Sequence, residues 1–353
     1  MRAPFPYFGG KSKVADAVWS ALGADIPNYI EPFAGSAAIL LARPGWKPDV
    51  PWIETINDAD GMVSNFWRAV QAKPEAVARY ADWPVNENDL HARHLWLAER
   101  RSNLTTQLEG DPDYYDARIA GWWVWGMCCW IGGGFCDGNG PWHREQDDEG
   151  HDVLVNGDTD LGIERRLASS RSAGIQRRLV HLGGAGRGVC RPTVIVGAPG
   201  DGDAGDGTSG LYAWFDMLSQ RLRRVRVCSG DWQRVCSSRA VTTGFGTTGV
   251  FLDPPYSDAA GRRADIYATD DLTVAHTVRD WCLVNGRNPL LRIVLCGYRG
   301  EHDELEGVGW TVHNWQTSGG YGCLGNGVGR ANALREVLWL SPNCLPPVQQ
   351  RLL

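Results

Sequence analysis

The tetrapeptide Asp253-Pro254-Pro255-Tyr256 follows an uninterrupted apolar run, Gly249-Val250-Phe251-Leu252. Such a run predicts a buried parallel strand, and two consecutive prolines end it because neither has an N–H for a ladder. The Asp is therefore expected at the carboxyl end of a strand, where open α/β sheets place their chemistry. A carboxylate, the free Pro254 carbonyl and the Tyr256 ring are the set needed to grip a flat exocyclic amine. Asp253 and the carbonyl accept its two hydrogens, and Tyr256 stacks on its ring. With both hydrogens held, the nitrogen lone pair is released from the ring and can attack an electrophilic methyl group. The plainer alternative for a four-residue match is a strand-ending turn with an incidental Asp.

The chain has 353 residues, enough for one large domain or two with a substantial core. No apolar run approaches a membrane span and the N-terminus lacks a signal-peptide core, so a cytoplasmic protein with no membrane partner is expected. Ten cysteines form no Cys-x-x-Cys pair and sit within apolar runs such as Gly126 to Trp130. They read as reduced packing residues, and no metal is expected. A net charge of −6 argues against broad affinity for nucleic acid. The charge is uneven, however. Residues 165–200 contain no acid but carry Arg171, Arg177, Arg178 and Arg187 among other arginines. That run is either a solvated face or a local phosphate-contacting surface.

Near the N-terminus, Gly9-Gly10-Lys11-Ser12 lacks the upstream glycine and the preceding strand of a phosphate-binding loop. It reads instead as a tight turn presenting a lysine suited to a carboxylate. A strand at Asn28 to Ile30 leads through Glu31-Pro32-Phe33-Ala34-Gly35-Ser36 into a helix at about residues 37–42. This is a strand, turn and helix unit of the nucleotide-site kind. The dinucleotide fingerprint is missing. Glu31 is placed for an amino group, and Asp58, closing a second strand at Trp52 to Ile56, for a ribose diol. In that order these signals describe S-adenosylmethionine, an amino acid joined to a ribose without a phosphate.

Phe8-Gly-Gly-Lys11, Glu31-Pro-Phe-x-Gly35-Ser36, Asn57-Asp58 and Asp253-Pro-Pro-Tyr256 stand in the order found in Dam-type adenine DNA methyltransferases. The chain resembles that family over its first sixty or so residues and from about Arg224 to Leu340, in the manner of a member carried by a phage or mobile element. The resemblance implies an α/β fold: a Rossmann-like seven-stranded methyltransferase sheet, mostly parallel with one reversed strand, and an inserted, mainly helical target-recognition region. Residues 1–60 and 221–353 would form the catalytic domain and 61–220 the insert. It implies cofactor contacts from Tyr7, Phe8, Gly10, Lys11, Glu31, Pro32, Phe33, Gly35, Ser36, Asp58 and Asp253. By the same resemblance Asp231 would bond the cofactor's adenine amino group and Trp232 would pack its ring. Catalysis would rest on Asp253, Pro254, Pro255 and Tyr256. In the insert, a tryptophan-dense helix at 113–130 runs into a Gly- and Asn-rich loop. In outline this resembles the family's DNA-contacting element, which implicates Trp130, Phe135, Asn139 and His143. The usual Arg-x-Asn pattern is absent there, and a tryptophan stripe is more often core than a DNA wedge.

The expected activity is methyl transfer from S-adenosylmethionine to the N6 amino group of adenine in double-stranded DNA. The target base would be flipped out at a cost of a few kcal/mol. Stacking on Tyr256, worth about 1–3 kcal/mol, would offset part of that. The same grip fits the N4 amino group of cytosine, the nearest alternative. A rival of another class is a DNA-binding protein that keeps the fold without turnover. No nuclease segment is visible, so any restriction partner is expected on a separate chain.

Overall fold

A computed structural model describes residues 1–7, 11–130, 135–136, 142–146, 150, 152–156, 207–237, 242–255, 274–315 and 336–346. Its centre is a seven-stranded sheet. The strands are β1 (Asn28–Glu31), β2 (Ile53–Asp58), β5 (Val225–Ser229), β6 (Thr248–Leu252), β7 (Leu291–Tyr298), β8 (Thr311–Asn314) and β9 (Glu336–Leu340). They lie in the order β5-β2-β1-β6-β7-β9-β8. The first five are mutually parallel, and β9 runs antiparallel to both β7 and β8. The chain builds outward from β1 to β2 and β5, then returns to the centre and builds the other way through β6 and β7. The order thus reverses between β1 and β6, which opens a crevice at their carboxyl ends.

Alternation along the strands covers both faces of the sheet. Tyr29, Ile56, Phe251, Val294, Cys296, Leu338 and Leu340 belong to one buried cluster, with α1 (Ala15–Leu22) and α2 (Ala38–Leu41). Ile30, Val250, Leu252, Ile293, Leu295, Val337 and Trp339 belong to a second cluster. Packed into that second cluster are Val278 and Cys282 of a helix at Val274–Asn285.

Between β2 and β5 stand α3 (Gly61–Ala72), α4 (Pro74–Ala81), α5 (Glu87–Ala98), α6 (Arg101–Gly110), α7 (Ala117–Cys129), a ribbon of β3 (Trp142–Gln146) paired with β4 (Asp152–Asn156), and α8 (Gly207–Leu222). Short α9 (Gln233–Cys236) follows β5, which makes the helix at 274–285 α10. Asp60, Asn86 and Asp116 start α3, α5 and α7 as side-chain caps on Met62, Asp89 and Ile119. Helices α5 and α6 meet at Glu99 and Arg100. The ribbon was not foreseen, because Trp-His-Arg-Glu-Gln shows no apolar alternation.

The expected division at residues 60 and 220 falls inside one continuous core. Trp67, Trp123 and Phe215 of the helices share a cluster with Phe251 and Val294 of the sheet. A buried ion network joins the chain ahead of the insert, at Arg43 and Glu54, to the chain just after it, at Arg221. Glu54 on β2 accepts Arg43 Nη1 at 3.1 Å and Arg221 of α8 at 2.6 and 3.0 Å. All eight described cysteines are unbridged, and six of them are buried. Among the described residues, no helix is long and apolar enough to cross a membrane.

Candidate active site at the sheet's carboxyl edge

Period-two geometry decides which side chains meet at the crevice. Tyr29, Ile56, Phe251, Cys296 and Leu338 face the α1 side. Glu31, Asp58, Asp253 and Glu336 stand two residues from one of these along their strands, so they face that side as well. Because β9 is reversed, its first residue, Glu336, lies at the same edge as the last residues of the parallel strands, opposite Tyr298.

Lys11 Nζ lies 3.1 Å from Asp253 Oδ1 and 3.7 Å from Glu336 Oε1, and the lysine is only 4% exposed. Lys11, expected among the cofactor contacts, is thus paired with the carboxylate heading the Asp-Pro-Pro segment. Burial pushes the Asp253 carboxyl above its ordinary pKa. Lys11 opposes that shift and Glu336 adds to it, while a hydrogen bond from Cys296 also favours the ionised form. The lysine is the cation that favours the ionised form of this half-buried acid.

Glu31 is buried, and its Oε2 accepts the Tyr29 hydroxyl at 3.0 Å and the Leu40 N–H at 3.1 Å. Burial raises its pKa from 4.5 to about 8 against those two bonds, with a further push from Asp253. At neutral pH Glu31 is mostly protonated, and a cation beside it would ionise it. Asp58 accepts the Gly35 N–H at 2.8 Å on Oδ2 and the Asp60 N–H at 2.9 Å on Oδ1. Its pKa rises to about 7, first through burial and then through Asp60.

Asn57 joins three loops: its side-chain amide donates to the carbonyls of Pro32 at 3.0 Å and Gly230 at 2.9 Å, and its main-chain carbonyl accepts the Ala34 N–H at 2.9 Å. Gly35 adopts φ +45, and a Cβ there would come within 2.5 Å of the Tyr7 ring. Only glycine makes this turn beneath Tyr7. Ser36 is buried in the same turn.

Phe33 and Trp232 pack on the other side of the sheet, with ring centres 6.0 Å apart. Trp232 is buried. Asp231 is exposed, and its Oδ1 accepts the Gln233 N–H at 2.8 Å. The expected cofactor residues thus form an α1-side acid and lysine group, and an aromatic pair on the opposite side with Asp231 at its exposed end. Pro254 is buried and Pro255 half-buried beyond the end of β6.

The insert corrects two expectations. Trp130 and Phe135 are 5% and 9% exposed, with Trp130 stacked on His94 at 4.9 Å and Phe135 against Gly126. Both are core residues rather than surface contacts, because α7 turns its last aromatic inward against α5. His143 lies on the ribbon, opposite Val155. Phe8, Gly10, Tyr256, Asn139, Arg171, Arg177, Arg178 and Arg187 lie outside the described residues.

Tyr29, Asn57, Cys296 and Glu336 were missed as site residues. Two-residue spacing from Glu31 and from Val294 was the available signal for Tyr29 and Cys296. Among the described residues, no group of three or more His, Cys, Asp or Glu side chains could hold a metal ion. No family model matches this chain, and no curated protein is significantly similar to it.

Proposed function

We propose that the chain is an S-adenosylmethionine-dependent DNA methyltransferase acting on the N6 amino group of adenine. The observation that carries the reading is the pair of buried Lys11 with half-buried Asp253 beside the β1/β6 crevice, directly ahead of Pro254-Pro255. The sheet's single reversed strand agrees with the arrangement the Dam-type resemblance implies.

The residues present suit the cofactor. Glu31 is a buried acid that gains from an ammonium, the Gly35 turn leaves a cradle under Tyr7, and Asp58 offers acceptor oxygens near that turn. Phe33 and Trp232 offer an apolar wall for a planar base. S-adenosylmethionine supplies an electrophilic methyl group on a sulfonium. Asp253, whose ionised form Lys11 favours, and the Pro254 carbonyl accept the two amine hydrogens of the target base. They orient the nitrogen and release its lone pair for attack. After transfer the nitrogen is acidic and loses a proton readily, so a moderate base such as the Asp253 carboxylate suffices.

The reading is tested by expressing the protein in a host that lacks adenine methylation and analysing the nucleosides of its DNA by mass spectrometry. N6-methyladenine above the empty-vector level supports it. DNA free of N6-methyladenine, with soluble protein present, refutes it.

A further inference from the structure

The helical layer carries a second recess. Parts of α4, α5, α6 and α7 enclose a cleft of about 580 Å³, with Arg79, Tyr80, Trp96, Arg100, Asn103 and Arg118 on its walls. The arginines are laid on aromatic rings. Arg100 lies 3.8 Å from the centre of Trp96, Arg79 lies 5.2 Å from Tyr80, and Arg118 lies within 6 Å of Tyr80, Trp96 and Trp122. Arg118 and Arg79 each also hydrogen-bond the Tyr80 side chain, and the five N–H donors of a guanidinium leave others for planar, bidentate recognition of an oxyanion.

Cations outnumber acids here. Among the described residues no carboxylate stands within ion-pair distance of Arg79 or Arg118, whereas Arg100 has Glu99 at 3.5 Å. Asp116, also on the wall, turns an oxygen to the N–H of Ile119 at 2.8 Å as a helix cap. A hydrogen bond from Arg118, and a weaker one from Arg79, draw the Tyr80 phenol below its ordinary pKa.

The cleft adjoins the candidate active site. Arg101, the residue after Arg100, turns the other way and meets Asp60 Oδ2 at 2.7 Å, two residues beyond Asp58. The α5–α6 corner that supplies Arg100 to the cleft thus also supplies Arg101 to the end of β2. With an overall charge of −6, attraction of a polyanion has to come from local sets of cations such as this one.

We propose that this cleft binds backbone phosphates of the DNA strand that flanks the target base, with Arg79 and Arg118 as the principal contacts. The inference rests on the reading of DNA as the substrate. Its role is positional: phosphate contacts set register and affinity without reading sequence.

The test is fluorescence anisotropy with a labelled DNA duplex over a salt series, comparing wild type with the Arg79→Gln/Arg118→Gln double variant. Arg224→Gln/Arg287→Gln, at the amino edge of the sheet, serves as a control of equal charge change. Melting temperature and S-adenosylmethionine binding are measured to show that each variant is folded. The double variant is expected to bind about tenfold or more weakly than the control, with the slope of log Kd on log salt reduced by about two. Affinity and slope equal to the control's would overturn the proposal, as would absence of duplex binding by wild type. Displacement of the duplex by single-stranded RNA at far lower concentration than by unlabelled duplex would overturn the DNA assignment. Methyl transfer by wild type is read in parallel. Transfer that persists while the double variant matches the control removes the cleft and leaves the function. Loss of affinity in the double variant without any wild-type transfer supports the cleft and refutes the methyltransferase.

Discussion

Glu31→Gln should change how stability depends on pH. In the folded protein Glu31 holds its proton up to about pH 8, whereas the unfolded chain releases it near 4.5. Between those values the folded state binds more protons, so stability falls as pH rises. At 1.36 kcal/mol per unit the full span costs roughly 5 kcal/mol, and the window from pH 5.5 to 8.5 contains roughly 3 kcal/mol of it. That is a large fraction of the ~5–15 kcal/mol by which domains are stable. Gln keeps a carbonyl acceptor for the Tyr29 hydroxyl and the Leu40 N–H but does not titrate. Asp58 titrates with a raised pKa in both proteins and cancels in the comparison. Urea denaturation of both proteins at pH 5.5, 7 and 8.5 measures the difference. The variant should gain roughly 3 kcal/mol relative to wild type across the series. A difference that is flat with pH would mean that Glu31 is ionised throughout, and the argument from its burial would fail.

Other substitutions bear on the same edge. Gly35→Ala forces a Cβ into a left-handed turn against the Tyr7 ring, and should cost about 1–3 kcal/mol and weaken cofactor binding, read by calorimetry on the folded variant. Asn57→Ala leaves the Pro32 and Gly230 carbonyls without their donor and should lower stability by about 1–3 kcal/mol, measured by urea denaturation. Lys11→Met removes the cation that favours ionised Asp253, so the acid limb of the methyl-transfer rate should move to higher pH. An unmoved limb would show that Lys11 does not set the state of Asp253.

The sheet was legible in the sequence because its strands are short apolar runs that end in acids and glycine-bearing turns. Gly249 to Leu252 falls where a strand is observed, and Asn28 to Ile30 and Trp52 to Ile56 overlap two more. The last two strands pair antiparallel, with Val312 opposite Trp339. What sequence alone did not give was partnership across the sheet. Glu336 joins the site because a reversed strand brings its first residue, not its last, to the carboxyl edge. Lys11 and Asp253, 242 positions apart, meet only through the packing of the N-terminal segment on that edge. In the insert, aromatic residues near a loop do not reveal which way they point. Trp130 and Phe135 turned inward, while Trp96 and Trp122 line up with arginines.

The central claim is that Asp253 directs methyl transfer to an adenine amino group. Its most direct test is transfer of labelled methyl from S-adenosylmethionine to mixed-sequence duplex DNA, with wild type and Asp253→Ala side by side and nucleosides separated afterwards. The account predicts label in N6-methyladenine for wild type and none for the variant. Label in N4-methylcytosine would keep the mechanism and overturn the base. Folded protein that binds the cofactor yet leaves DNA unlabelled would contradict the account.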